Sequence, residues 1–226
     1  MDGLFSVNRE KRVRTRYGGV TVYLCSTGRT RFLFLPRHGK GHEVPPHRIN
    51  HKANLRALGA LGVRNIIATG AVGSISKKLG IGEIGLLDQF IDLSKRHVTF
   101  FETRPVHVDM THPYDDWLQE KVARAASGAQ VPMTRGLTYV SVDGPRYETA
   151  AEVRTFGMLG GDVVGMTGAP EAILANELGV KYASIVVATN WGAGIQEKVS
   201  HEEVVAQMDK TAAKMKRIIE STIDAL

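Results

Sequence analysis

Tyr182–Thr189 (YASIVVAT) is apolar on both faces that a strand presents and is rich in β-branched side chains. A strand of that kind has no water-facing side, so it requires a sheet with helices packed above and below. The rest of the chain alternates accordingly. Gly19–Ser26 and Thr30–Pro36 read as strands joined by a turn at Thr27–Gly28. His47–Gly62 follows a double proline and repeats apolar residues at helical spacing: Ile49, Ala53, Ala57, Ala60 and Leu61. Asn65–Ala71 reads as a buried strand feeding a tight glycine turn, and Ile84–Leu93 as another strand. Tyr114–Ala126 is expected to be helical, Leu137–Val142 a strand, Glu148–Leu159 a helix, Asp162–Met166 a strand, and Pro170–Leu178 a helix with proline near its first position. Ser200–Leu226 is a terminal helix that opens with a capping-box pattern at Ser200-His201-Glu202-Glu203. The alternation predicts an α/β fold over 1–226, a single domain with a largely buried central sheet flanked by helices.

Composition enters where it excludes function classes. Apolar residues make up 43% and charged residues 23% of 226, which is globular and not disordered or fibrous. No apolar stretch approaches the roughly 18 residues of a membrane span, and the N-terminus has no signal-peptide core. The one cysteine, Cys25, has no internal partner and fits a reducing cytoplasm. Formal net charge is +6, and it is concentrated: residues 1–56 hold twelve Lys/Arg against three Asp/Glu, while the other 170 residues sum to −3. An anionic partner is implied. The run Arg9–Arg16 also suits an exposed edge strand, because Lys and Arg blunt sheet edges. No helix-turn-helix, RNP-like or zinc-finger pattern supports nucleic-acid binding.

Ligands of α/β sheets sit where strands run out into loops, and five such loops are rich in small, polar or basic residues. Arg37-His38 lies among glycines, a composition that suits either a phosphate clasp or a plain surface turn. His38, His42, His47 and His51 invite a metal reading, but Pro45-Pro46 breaks any common helical face and no tight Cys or acidic spacing accompanies them, so no metal is expected. Tyr147-Glu148 is either a stacking ring with a carboxylate acceptor or a helix start that favours acidic residues. Met166-Thr167 is a core methionine before a turn or part of a site. Asn190 either caps a strand end or reads a base edge.

In order, RHGKGH (37–42), PPHRINHKAN (45–54), TGAVGS (69–74), VDGPRYET (142–149), VVGMTGAPEAILA (163–175) and VATN (187–190) together resemble the trimeric purine nucleoside phosphorylase and methylthioadenosine phosphorylase family, from about residue 14 onward. The resemblance implies phosphorolysis of a purine nucleoside to free base and sugar 1-phosphate, with inorganic phosphate as co-substrate, no cofactor, and a homotrimer or homohexamer in the cytoplasm serving purine salvage. It implies phosphate ligands at Arg37, His38, Gly70, Ala71 and Thr167. Met166 would lie under the ribose, His42 and His107 near the sugar, the latter from a neighbouring subunit, Tyr147 would wall the base, and Trp191 and Gly192 would also bind substrate. Glu148 and Asn190 match the 6-oxopurine branch, which acts on inosine and guanosine: a carboxylate accepts the purine N1–H, and the amide donates to O6 or N7 as the ring departs. His201 matches relatives that bind a ribose 5′-hydroxyl, with S-methyl-5′-thioinosine as the alternative substrate. The resemblance also implies a single domain with a central mixed β-sheet, with one departure: the chain is expected to lack the family's usual N-terminal strand and Gly-rich phosphate loop, which would be finishing at Met1–Leu4. That leaves a non-catalytic purine- or polyanion-binding homologue as a further alternative.

Overall fold

A computed structural model of the chain describes residues 5–28 and 30–226; Met1–Leu4 and Arg29, including the expected end of the glycine-rich loop, lie outside the described residues. Strands β1 (Ser6–Thr15), β2 (Gly18–Ser26) and β3 (Arg31–Phe34) form a three-stranded antiparallel sheet in that order. β4 (Asn65–Ser74), β5 (Ile84–Asp92), β6 (Met133–Ser141), β7 (Val163–Gly165) and β8 (Lys181–Trp191) close into a barrel in the order β4-β7-β6-β5-β8. Its pairings are mixed: β4–β8, β5–β6 and β6–β7 are parallel, while β4–β7 and β5–β8 are antiparallel. The expected central mixed sheet is therefore a closed one, and the first three strands form a sheet of their own.

Among the described residues there are five α-helices: α1 (His51–Ala60), α2 (Asp116–Gly128), α3 (Ala150–Met158), α4 (Gly168–Glu177) and α5 (His201–Asp224). β8 is buried from Tyr182 to Asn190, as its two-faced apolar sequence requires. One face packs with Leu118, Val122, Met215 and Ile218 of α2 and α5, and the other cluster takes in Tyr182, Val186 and Ala188 with Ala172 and Leu174 of α4. Val20 and Val22 of β2 pack on Ala53, Ala57 and Leu58 of α1.

Four boundaries depart from the sequence expectation in ways that shape the site. The turn expected at Gly70–Ser74 is strand: β4 stays paired with β8 through a bulge after Val72, then pairs Gly73 and Ser74 with β7. Glycine fits there because a Cβ on Gly73 would crowd Val164 and the Asn190 amide. Asn190 accordingly pairs with Gly73 one residue before β8 ends at Trp191. The helix expected from His47 begins as a 3₁₀ turn, Pro46–Arg48, and restarts at His51 behind the N-cap Asn50. The helix expected at Glu148 starts at Ala150: Thr149 is its cap and makes a full capping box with Glu152. Pro170 stands at the third position of α4. In α5, Ser200 accepts the Glu203 N–H as expected, but the Glu203 carboxylate is engaged by Gln196.

Candidate active site

Arg37 is delivered to the barrel by the loop after β3. Its Nη2 donates to the Thr69 carbonyl of β4 at 2.6 Å, and its Nη1 lies 3.4 Å from Glu171 Oε2. Burial works against the guanidinium charge, and Glu171, with Tyr182 and Tyr139 beside it, raises the pKa overall. The Arg37 Nε–H is buried without a partner among the described residues. Gly70, Ala71, Thr167 and Gly168 line the same narrow pocket, whose cavity is about 10 Å³, room for one water. Arg37, drawn onto Thr69 and Glu171, keeps it closed.

The N-terminus of α4 faces this pocket. Thr167 is the N-cap residue, yet its side chain makes no capping bond. Tyr139 Oη takes over that task, accepting the N–H groups of Thr167 at 3.1 Å and Gly168 at 3.2 Å. The Thr167 hydroxyl is thereby left for a ligand. A helix N-terminus beside a buried arginine favours an anion.

Three histidines form a row away from Arg37. His38 stacks on His42 with ring centroids 4.5 Å apart, and His42 lies 6.2 Å from His201 at the start of α5. His38 Nδ1–H donates to the Val44 carbonyl at 2.9 Å, since a carbonyl only accepts. Burial pushes the His38 pKa down to about 4, with Arg37 and His42 adding to the effect, so the ring is neutral at pH 7 and presents Nε2 as an acceptor. Tyr147 reaches the same end of the cleft, within the electrostatic range of Glu202 and Glu203 on α5.

Glu148 lines a larger cavity of about 370 Å³ with Lys95, Asp143, Gly144, Arg146 and Glu152, floored by Leu93, Val142 and Phe156. Burial raises its carboxyl pKa, and no side chain donates a hydrogen bond to it among the described residues. The helix-start explanation of this acidic residue falls away, because Glu152 performs that role. Met166 lies against Gly144, where any Cβ would collide with its thioether. Asn190 is buried; its Oδ1 accepts from Thr189 Oγ1 at 3.0 Å and its Nδ2 donates one hydrogen to the Trp191 carbonyl at 2.9 Å. One amide hydrogen is left over. The Trp191 N–H donates to Gln196 Oε1 and the Gly192 N–H to the Ser74 carbonyl, fixing the chain beyond β8.

The structure thus brings together Arg37, Gly70, Ala71 and Thr167, and separately His38, His42 and His201. Glu148 and Asn190 are not in mutual contact, and His107 is exposed on the coil between β5 and α2. Tyr139, Arg96 and the role of Glu171 escaped the sequence reading, and His51 entered it only among the histidines weighed for a metal. Glu171 carried a signal, a carboxylate inside the apolar run of α4. Among the described residues no group of three His, Cys, Asp or Glu side chains could hold a metal ion.

A buried arginine, strand backbone and a helix N-terminus converge on one pocket of an α/β domain, and Glu148 lines a second, wider cavity. The model of the phosphorylase superfamily matches residues 5–224. A 6-oxopurine nucleoside phosphorylase of Pyrococcus furiosus is 44% identical over 225 residues, covering 95% of this chain and 85% of that protein. A probable S-methyl-5′-thioinosine phosphorylase of Methanopyrus kandleri is 43% identical over 219 residues, covering 96% and 86%. The solved structure of a Schistosoma mansoni methylthioadenosine phosphorylase with tubercidin superposes with a TM-score of 0.93 at 29% identity, covering 99% of this chain and 88% of that one. The chain belongs to the phosphorylase superfamily.

Proposed function

We propose that this chain is a purine nucleoside phosphorylase that cleaves inosine and guanosine with inorganic phosphate, giving hypoxanthine or guanine and ribose 1-phosphate. The observation that carries the reading is Glu148: a carboxylate released from capping duty, desolvated, and open to a cleft. Such a group matches the N1–H of a 6-oxopurine and opposes the bare N1 of adenine. The relatives named for 6-oxopurine nucleosides support it.

In this reading phosphate enters by drawing Arg37 off Glu171 and taking the Thr167 hydroxyl and the β4 backbone at Gly70-Ala71. His38 Nε2 accepts the remaining phosphate O–H. A phosphate oxygen bonds to C1′ as the C1′–N9 bond breaks, and that electron pair passes to the purine, which then takes a proton from solvent. Asn190 turns its free amide hydrogen to the ring as charge builds there, a bond stronger in the transition state than before it. Met166 packs under the ribose, and Tyr147, Trp191 and Gly192 bound the base. His42 and His201 face the 5′ end, where imidazoles favour a hydroxyl over a methylthio group. No cofactor takes part. The enzyme works as a homotrimer or as two stacked trimers in the cytoplasm, in purine salvage.

The test is inosine with and without phosphate, following hypoxanthine. Release only with phosphate is expected. No release, or release independent of phosphate, overturns the reading. S-methyl-5′-thioinosine in competition decides the 5′ substituent, and inosine is expected to have the higher kcat/KM.

A further inference from the structure

His51, the first residue of α1, is 4% exposed and belongs to neither half of the site as described so far. Its ring stands between two charged groups. Nε2 is 3.3 Å from Arg96 Nη1, and Nδ1 is 3.9 Å from Glu171 Oε1. A guanidinium only donates, so Nε2 must accept, and the one proton of the neutral ring sits on Nδ1, pointing at Glu171. Burial first, then the nearby Arg37 and Arg96, pushes the His51 pKa down to about 4, which agrees with the neutral ring. The Nδ1–H is buried and has no partner within hydrogen-bond distance.

Each neighbour of His51 leads to one half of the site. Glu171 accepts from Tyr182 Oη at 2.8 Å and holds Arg37 only loosely, at 3.4 and 3.5 Å. Arg96 grips Asp143 twice, through Nε to Oδ1 at 3.0 Å and through Nη2 to the backbone carbonyl at 2.8 Å. Asp143 begins the turn that carries Gly144, against Met166, and then Tyr147 and Glu148. A line of charged and polar groups therefore runs from the anion pocket through Arg37, Glu171, His51, Arg96 and Asp143 to the purine-facing loop. It is broken at one joint, His51 Nδ1 to Glu171.

We infer that His51 is a positioning residue through which phosphate and purine binding reinforce one another. An anion in the pocket draws Arg37 away from Glu171. The carboxylate, relieved of one cation, closes on the waiting Nδ1–H, which polarises the ring and strengthens the Nε2 bond to Arg96. Arg96 then holds Asp143 and its loop for the base. The coupling is reciprocal, as any such linkage must be. This inference rests on the phosphorolysis reading for the identity of its two ligands.

The test reads binding and not turnover. The Kd of hypoxanthine is measured by calorimetry with and without saturating phosphate, and the Kd of phosphate with and without hypoxanthine. In the unaltered protein each ligand is expected to tighten the other by the same factor, ~5-fold or more. His51→Phe is expected to bring that factor to about 1 while phosphate alone still binds; His51→Gln, which keeps an acceptor and a donor, retains part of it. Arg96→Met breaks the line on the other side and is expected to abolish the coupling even if His51→Phe does not fold. Coupling that survives in Arg96→Met or in folded His51→Phe, or that is missing from the unaltered protein, overturns the inference. Coupled binding without phosphorolysis of inosine would leave the inference standing and remove the functional reading.

Discussion

Glu148 owes its freedom to its two neighbours. Thr149 and Glu152 satisfy each other's backbone N–H at the start of α3, so the preceding carboxylate has no part in the cap, keeps only its own backbone N–H, and is desolvated. The spacing Thr149-x-x-Glu152 is legible in the sequence as a capping box, and it argues against a helix beginning at Glu148. Substituting Glu148→Ala is expected to lower kcat/KM for inosine by ~10²-fold or more while adenosine changes little, so that the ratio of the two collapses. Steady-state kinetics on both nucleosides checks this. Retained inosine preference would defeat the base-recognition argument. Because burial raises the Glu148 pKa, inosine kcat/KM should also fall on the acid side, through a pKa above that of an ordinary glutamate.

A second residue-scale consequence concerns stability. His51 has a folded pKa of about 4 against an ordinary value of 6.5. Between those values the unfolded chain binds the proton and the folded one does not, so stability rises with pH through the window and is fully present above 6.5. The shift corresponds to about 3 kcal/mol for His51 alone. Urea midpoints measured from pH 7 down to 4 should fall steadily, and His51→Gln should flatten the slope. An unchanged slope in that variant would place the acid sensitivity elsewhere, with His38 the next group to test.

At the scale of elements, α4 shows how the anion pocket is built and why it was only half legible. Thr167 and Gly168 announce a helix start, but the partner of their N–H groups, Tyr139, comes from β6 and is 28 residues away from Thr167. Nothing in the local sequence names it. The same holds for the barrel: its strands follow from β-branched apolar runs, whereas their closure depends on long-range register. β4 illustrates the difference, because Gly70 and Gly73 read locally as a turn and are held extended by β8 and β7. Gly165 and Gly168 keep the space for the Tyr139 hydroxyl, since a Cβ on either would press against its ring. Removing the hydroxyl in Tyr139→Phe leaves two buried N–H groups at the helix start unsatisfied. A loss of about 1–3 kcal/mol in urea unfolding is expected, together with a higher KM for phosphate than for inosine relative to the unaltered enzyme. A variant with unchanged stability would show that the amides find water or another acceptor.

At the scale of the whole molecule, charge and assembly remain to be connected. Of the basic residues in 1–56, Arg9, Lys11, Arg12 and Arg14 lie on β1, Arg31 on β3, and Lys52 and Arg56 on α1; β1 is an exposed edge of its sheet, as the run Arg9–Arg16 suggested. Among the described residues, Arg37 is the one member of that group that lines the pocket at the start of α4. His107 is a different matter: it is exposed, and among the described residues no hydrogen bond or ring contact joins it to the histidine row, so a role at the sugar calls for a neighbouring subunit. Complementation tests that arrangement. Arg37→Met removes the phosphate arginine from a subunit's own site, and His107→Ala removes the residue that the subunit lends to the next. Each variant alone should lose most of its activity. Co-expressed in equal amounts and assembled at random into rings, they should regain about a quarter of the native sites, those where an intact Arg37 meets an intact neighbouring His107. Light scattering on the mixture should report three or six chains. If His107 served its own chain, every site would carry one of the two defects and no activity would return.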